Sequence, residues 1–153
     1  MRSLWSLKLF QAVEDAKSFG DLVPIAIRIL GFFEEPVTVV SGPISTGGFG
    51  SRDKNILAFT AAIRHLQQRG HSVLDQTPFE AAIGRFARQW AETGGQGYPM
   101  PILTEFYGPI FRSGLIARVA FMRDWESSFG AQWEHREVKA LKLEVEYLPL
   151  IEP

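Results

Sequence analysis

The stretch WESSFGAQWE, which begins at Trp125, combines the start of a helix with groups that could bind an anion. Either serine of its SS pair can cap a helix, because a side-chain oxygen before the first turn accepts a hydrogen bond from a backbone N–H. The exposed N–H groups near Gly130 and Ala131 could then hold a phosphate or a carboxylate at the positive end of the helix. The alternative is that this segment is a helix cap and nothing more.

Glu134 is harder to explain as a structural residue. If the helix runs to about Leu141, then Ala131, Glu134, Val138 and Leu141 are three, four and three residues apart, which places them on one face. Three of these residues are apolar. Glu134 is not the glutamate of a capping box, because the residue three positions after Ser128 is Ala131. Periodicity alone leaves open whether Glu134 is a partly exposed structural residue or a functional one.

The loop GPISTGGFGS, from Gly42 to Ser51, follows a β-branched run and precedes a helix. Its glycines would let backbone N–H groups approach an anion, and its hydroxyls would add hydrogen bonds. The spacing fits neither a Walker loop, in which lysine would replace Gly48, nor the dinucleotide-binding fingerprint. A loop of this composition is a flexible connection about as often as it is a ligand site. The candidate binding residues that it contributes are Gly42, Pro43, Ile44, Ser45, Gly47 and Gly48.

Four further carboxylates lie near the predicted strand ends or on the helix before the third strand. They are Asp75, Glu80, Glu105 and Asp124, and such residues more often serve in turns or on the surface. The histidines lack the spacing of a zinc-binding helix and the chain has no cysteine, so we expect no metal and no cofactor. Trp125 is one of several aromatic residues that could stack on a nucleobase.

The order of elements predicts the fold that must position these residues. From Pro36 onward, short apolar runs alternate with amphipathic helices, which indicates an α/β domain with a parallel sheet. We predict a three-layer, Rossmann-like or flavodoxin-like domain with a mostly parallel sheet of four or five strands. In such a sheet, ligands bind at the carboxyl ends of the strands. The predicted strands span residues 37–42, 71–76, 115–122 and 144–149.

Two helical segments, residues 3–17 and 21–33, precede this domain. We predict that Gly20 separates them and that Pro24 lies in the first turn of the second, where a missing N–H costs little. Their apolar side chains must pack on the rest of the domain or on another subunit. The chain therefore divides into a helical extension, residues 1–35, and an α/β domain, residues 36–153.

The composition narrows the possible partners. The chain has 153 residues, with 16 Lys and Arg against 17 Asp and Glu, so nothing predicts a nucleic acid or an anionic membrane as partner. No apolar run is long enough to span a bilayer, and the N-terminal residues lack the pattern of a signal peptide. The absence of cysteine fits a reducing compartment, so we expect a cytoplasmic protein.

Three segments together resemble the nucleoside 2-deoxyribosyltransferase superfamily, including its small uncharacterised domains and the deoxynucleoside 5′-monophosphate N-glycosidases. The segments are VVSGPIS with the glycine-rich turn after it, LQQRGHSVLDQ, and WESSFGAQWEHREVKALKLEV. The last segment looks like the family's motif of serine-x-glycine followed by a glutamate four residues after that glycine. The resemblance covers roughly residues 37–147 and does not include the N-terminal helices.

This resemblance implies an enzyme that cleaves or transfers the N-glycosidic bond of a (deoxy)nucleoside or its 5′-monophosphate. Glu134 matches the family's nucleophile, which attacks the anomeric carbon and forms a covalent glycosyl-enzyme. Ser128 and Gly130 match the contacts to a 5′-phosphate in the monophosphate hydrolases, and the glycine loop would contact base or phosphate. Because family members often complete their sites across subunits, the resemblance also implies a homodimer that binds a small nucleoside or nucleotide.

The chain departs from the family at two places. An aspartate at the beginning of the third strand is replaced by Ala117 and Arg118, and a tyrosine near the first strand's loop is replaced by Pro43 and Ile44. Either another acid assists Glu134, or the site is a non-catalytic nucleotide-binding or sensing module. A third hypothesis is a structural subunit that interacts through its N-terminal helices. The candidates for the assisting acid are Asp75, Glu105 and Asp124.

Overall fold

Four parallel strands form the centre of the structure, a computed structural model in which residues 4–45 and 47–151 are described. Thr46, within the glycine loop, lies outside the described residues. The strands run in the order β2-β1-β3-β4, and each neighbouring pair is parallel. The predicted α/β fold with a parallel sheet is therefore confirmed, with four strands. Their bounds are β1 Val37–Ser41, β2 Ser72–Val73, β3 Ile116–Phe121 and β4 Glu144–Tyr147.

Helices connect the strands, as the sequence predicts. The α-helices of the described residues are α1 Leu7–Asp15, α2 Phe19–Leu30, α3 Arg52–Gln68, α4 Glu80–Glu92, α5 Gly108–Phe111 and α6 Phe129–Ala140. Short 3₁₀ turns, Thr77–Phe79 and Trp125–Ser127, lead into α4 and α6. A π-helical segment, Ile102–Tyr107, runs directly into α5. The broken helix predicted between the loop GGQGYPMP and the third strand is thus present, and its break is the change from π to α geometry.

The two faces of the sheet bury different sets of side chains because successive strand residues point in opposite directions. Val40 and Ala120 pack with α3 on one face, in a cluster that includes Phe59 and Leu66. On the other face, the larger core cluster combines strand residues such as Val119 with residues of the remaining helices. This arrangement gives the three layers that the prediction requires.

The N-terminal helices pack on the rest of the domain. Leu22 and Ile29 are buried within the larger core cluster. Of the two alternatives, packing on the domain or on another subunit, the first therefore describes these side chains. Two local predictions were wrong. Gly20 does not separate the helices, because Ser18 caps α2 and the helix already begins at Phe19. Pro24 consequently lies in the second turn of α2, instead of the first.

Two further observations concern the length of the second strand and the character of the helices. The second strand is shorter than predicted, although the Leu74 N–H still donates to the Thr38 carbonyl at 3.0 Å. The chain then turns at Asp75, whose side chain caps the following 3₁₀ turn. Within residues 4–45 and 47–151, none of the helices combines the length and apolar character needed to cross a bilayer.

Candidate active site

A cleft opens at the carboxyl edge of the sheet, where β1 and β3 end side by side. β1 has a neighbouring strand on each side, β2 and β3, so the strand order reverses at β1. In open α/β sheets, ligands bind at the carboxyl ends of the strands at such a reversal. Segments that follow β1, β2 and β3 all contribute to the wall. Its cavity is small, about 40 Å³, with room for only a few water-sized groups. Side chains that carry chemistry there are Gln76, Glu80, Tyr98, Tyr107, Ser128 and Glu134.

Glu134 lies in this cleft on α6, and its burial confirms the helix face predicted from the sequence. The residue is only 8% exposed, and Ala131 and Val138 on the same face are buried at 1% and 0%. Among the described residues, Glu134 Oε2 has no hydrogen-bond partner. A buried carboxyl oxygen without a partner costs stability, so packing alone does not account for a glutamate at this position.

Burial also changes the acidity of Glu134. The pKa of its carboxyl is raised to about 8, chiefly by loss of solvent, and the nearby Glu80 carboxyl contributes a smaller part of that rise. The Ser41 hydroxyl beside it acts in the opposite direction. Its effect on the pKa is larger than that of Glu80, although Ser41 Oγ completes no hydrogen bond with the described residues. Glu134 is therefore mostly protonated at neutral pH, and a cationic group beside it would favour its ionised form.

The open end of α6 faces the same cleft. Ser128 is its N-cap, and its Oγ accepts a hydrogen bond from the Ala131 N–H at 3.2 Å. Gly130 leaves room for a neighbour, since a Cβ added there would lie 2.6 Å from the Tyr98 hydroxyl oxygen. Ser128 and Gly130 both line the cleft, so the helix start that the sequence predicts lies within a turn and a half of Glu134.

Glu80 is a second carboxylic acid in the cleft, and its importance was missed in the sequence. It begins α4, is 8% exposed, and its Oε2 lies 3.1 Å from Arg52 Nη2. Burial raises the pKa of Glu80 to about 7, and the Arg52 guanidinium partly opposes that rise. In the sequence, Glu80 stands out only as an acid soon after the end of a predicted strand. Nothing in the local pattern predicts that its side chain is buried.

The acids named as partners of Glu134 lie elsewhere. Asp75 accepts hydrogen bonds from the Thr77 N–H and hydroxyl at 3.1 and 2.7 Å, so it caps a 3₁₀ turn. Asp124 belongs to the turn after β3, where its carbonyl accepts from the Ser127 hydroxyl. Glu105 is exposed. The structure brings none of these three residues to the lining of the cleft.

The glycine loop divides into a part that reaches the cleft and a part that does not. Gly42, Ile44 and Ser45 line it. Gly47, Gly48 and the buried Pro43 do not. The Gly48 N–H donates to Ser127 Oγ at 2.9 Å, and the Phe49 N–H donates to Asn55 Oδ1 at 2.8 Å. These N–H groups are therefore used in fixing the loop, which departs from the phosphate cradle expected from its composition.

Asn55 explains why the loop has this shape. Its buried side chain, on α3, also donates through Nδ2 to the carbonyls of Ile44 and Gly47 at 2.9 and 3.2 Å. Trp125, predicted as a stacking residue for a base, instead stacks on His135 with ring centroids 4.2 Å apart. It does not line the cleft.

Two tyrosines and a glutamine complete the wall. Tyr98 and Tyr107 are among the aromatic residues that could stack on a base, but none of the three was chosen as a site residue from the sequence. Burial raises the pKa of both Tyr98 and Tyr107, so their hydroxyls stay neutral. Gln76 is 3% exposed and donates through Nε2 to the Tyr107 hydroxyl at 3.3 Å. Gln76 lies three residues after β2 and was detectable by that position. Tyr98 comes from a glycine-rich loop, where its aromatic ring is the one signal in the sequence.

The site is built from acids, hydroxyls and an amide. Within residues 4–45 and 47–151, no group of three or more histidine, aspartate or glutamate side chains is arranged to hold a metal ion. The chain matches no protein-family model, no curated protein and no solved structure. A proposal for its function therefore has to rest on the residues of the cleft.

The buried state of Glu134 predicts how stability depends on pH. In the unfolded chain its carboxyl ionises near 4.5, and in the folded protein near 8. The folded protein thus binds the proton more tightly, so this contribution to stability is fully present below pH 4.5 and is lost as pH rises through about 8. Glu134→Gln cannot ionise, and in urea unfolding near pH 9 we expect it to be more stable than wild type by up to about 5 kcal/mol.

Glu137→Gln provides the matched control for this measurement. Glu137 lies on the same helix, is partly exposed and pairs with Arg112 at 3.0 Å, so its variant should follow the wild-type pH profile. Parallel pH profiles for wild type and Glu134→Gln would contradict a buried, neutral Glu134.

Proposed function

We propose that the protein cleaves or transfers the N-glycosidic bond of a (deoxy)nucleoside or its 5′-monophosphate, with Glu134 as the nucleophile. One observation carries this proposal: a buried carboxyl group with an unpartnered oxygen lines a cleft at the carboxyl edge of a parallel sheet. The resemblance of WESSFGAQWE to the deoxyribosyltransferase motif supports the same assignment.

The chemistry suits the surroundings of Glu134. Cleavage of a glycosidic bond passes through a transition state with positive charge on the sugar. A carboxylate in a partly dry cleft stabilises that charge strongly and can form a glycosyl ester. The pKa of about 8 is compatible with this role, because the developing cation favours the ionised carboxyl. Release of the sugar to water gives hydrolysis, and release to a second base gives transfer.

The start of α6 supports recognition of a 5′-phosphate. Ser128 Oγ accepts a hydrogen bond from Ala131, but a hydroxyl can accept and donate at once. Its hydrogen remains able to bind a phosphate oxygen. The positive end of the helix adds a favourable field for an anion. Gly42, Ile44 and Ser45, which line the same cleft, are the remaining loop residues proposed to contact the ligand.

The direct test is to incubate the protein with the common deoxynucleosides and their 5′-monophosphates and to measure free base by liquid chromatography. Release of base supports the proposal, and a higher kcat/KM for the monophosphates supports the role of Ser128. Thermal unfolding with the same ligands tests the alternative, a nucleotide-binding or sensing module, because a bound ligand raises Tm without turnover. If neither base release nor a shift in Tm occurs, both functions are rejected.

We further propose a cytoplasmic homodimer that pairs through the N-terminal helices. The absence of cysteine supports the location. Leu7, Phe10 and Phe32 support the interface, since they remain 89%, 44% and 50% exposed on or just after those helices, and exposed apolar patches often mark protein contacts. Light scattering should give twice the mass of one chain, and a variant with Phe10→Ser and Phe32→Ser should give the mass of one chain. A wild-type mass equal to one chain rejects the dimer.

A further inference from the structure

Departure of a nucleobase needs a proton. When the bond from the anomeric carbon to the base nitrogen breaks, both electrons stay on the base, which is a poor leaving group as an anion. A group that can give a proton must therefore face the base while Glu134 faces the sugar. Glu134 cannot do both at once, because it has to be ionised in order to attack.

The cleft has one other carboxyl group in a suitable place. Glu80 comes from the segment after β2, Glu134 comes from the helix after β3, and β1 lies between those two strands. Both acids line the cleft, and the Glu80 carboxyl is close enough to raise the pKa of Glu134. A nucleoside whose sugar meets Glu134 needs its base to face Glu80 for this second acid to act.

Arg52 fixes the orientation of Glu80. Its Nη2 lies 3.1 Å from Glu80 Oε2 and also donates to the Glu80 carbonyl at 3.3 Å. The guanidinium comes from the first residue of α3 and is partly exposed, whereas the glutamate is buried. This contact pins one carboxyl oxygen at the start of α4 and restrains the side chain.

We infer that Glu80 is a second catalytic residue, which protonates the departing base and later removes a proton from the attacking water; this inference rests on the proposed function. In the first step, a Glu134 oxygen bonds to the anomeric carbon as the bond to the base breaks, and the Glu80 proton moves to the base. In the second step, water bonds to that carbon, the ester to Glu134 breaks, and the water proton returns to Glu80.

The surroundings of Glu80 support this cycle. The charged and titratable groups that act on it or on Glu134 are Arg52, Tyr98 and Tyr107, together with each other's carboxyl. Burial raises the pKa of Glu80 to about 7 and that of Glu134 to about 8, and the tyrosines stay neutral. As a coupled pair, the two acids together hold one proton when the pH lies between about 7 and about 8. In the singly ionised pair the proton lies mainly on Glu134, whose pKa is the higher of the two. The productive form, with Glu134 ionised and the proton on Glu80, is favoured when positive charge develops on the sugar beside Glu134.

The test is Glu80→Gln with two kinds of substrate. For an ordinary deoxynucleoside that wild type cleaves, we expect kcat/KM to fall about 10²- to 10⁴-fold and the decrease in rate at alkaline pH to disappear. For an N7-methylated purine deoxynucleoside, whose base is already cationic and leaves without a proton, we expect a rate close to wild type. That second rate also shows that the variant is folded. Glu92→Gln, at the exposed far end of α4, should match wild type on both substrates.

The outcomes separate this inference from the proposed function. If wild type releases base and Glu80→Gln cleaves ordinary substrates equally well, Glu80 is not the proton donor, although Glu134 chemistry stands. An equal loss on both substrates also overturns the role, because it indicates damage to the site in general. If wild type releases base from neither substrate, the proposed function fails, and the inference fails with it.

Discussion

Glu134→Gln is expected to abolish release of base from any nucleoside or nucleotide that the wild-type protein cleaves. We expect kcat/KM to fall by about 10⁴-fold or more, the scale on which loss of a reacting side chain acts in hydrolases. The amide has the same shape but cannot form the glycosyl ester. Because the carboxyl is buried and mostly neutral at neutral pH, the substitution should leave the fold intact. Chromatographic measurement of free base over several hours checks the result.

Two controls make this experiment specific. Glu137→Gln, on the same helix and partly exposed, should retain wild-type activity. Glu134→Ala should recover base release when azide is added, since a small anion can enter the vacated space and attack the sugar in place of the carboxylate. Substantial activity of Glu134→Gln without any added anion contradicts the assignment of Glu134 as nucleophile.

Gly130→Ala is also expected to lower activity, through the geometry of the site. Its new Cβ would lie 2.6 Å from the Tyr98 hydroxyl oxygen, so either the ring or the start of α6 must move by about 1 Å. Displacement of that size at a reacting site can lower the rate by roughly 10²-fold. Alanine is itself favourable in a helix, so the loss of kcat/KM should occur without a matching loss of helical structure.

Tyr98→Phe tests the physical cause of that loss. Removing the hydroxyl removes the atom that the new Cβ would meet, so Gly130→Ala should cost little in a Tyr98→Phe background. The double-mutant cycle compares kcat/KM for the four proteins. If Gly130→Ala costs the same with and without the tyrosine hydroxyl, the close approach of these two residues is not what requires glycine.

The sequence predicts the sheet and the position of Glu134 well, because both depend on local periodicity. The β-branched run VTVVS is buried along its whole length as β1, as expected for a central parallel strand. The helix face that contains Ala131, Glu134 and Val138 is buried as its spacing predicts. The errors in α2 have a local cause, since Gly20 was interpreted as a helix breaker although Ser18 caps the helix before it.

The rest of the site depends on contacts between distant segments. Glu80 becomes a buried acid because Arg52, 28 residues earlier, lies against it. Tyr98 reaches the cleft because Gly130 on another helix leaves room for its hydroxyl. Asp75 had the expected position after a strand, but its carboxyl bonds to Thr77. Short-range patterns do not distinguish a capping acid from one in a cleft.

The measurement that tests the nucleophile most directly is the mass of the protein after reaction with a 2-fluoro-2-deoxyarabinosyl nucleoside. The fluorine slows breakdown of a glycosyl ester by destabilising positive charge on the sugar, so the covalent intermediate should accumulate. We predict one added fluorodeoxypentosyl group per chain, on the peptide that contains Glu134, together with one equivalent of free base. Release of base without this adduct, or an adduct on a different residue, would contradict Glu134 as the nucleophile.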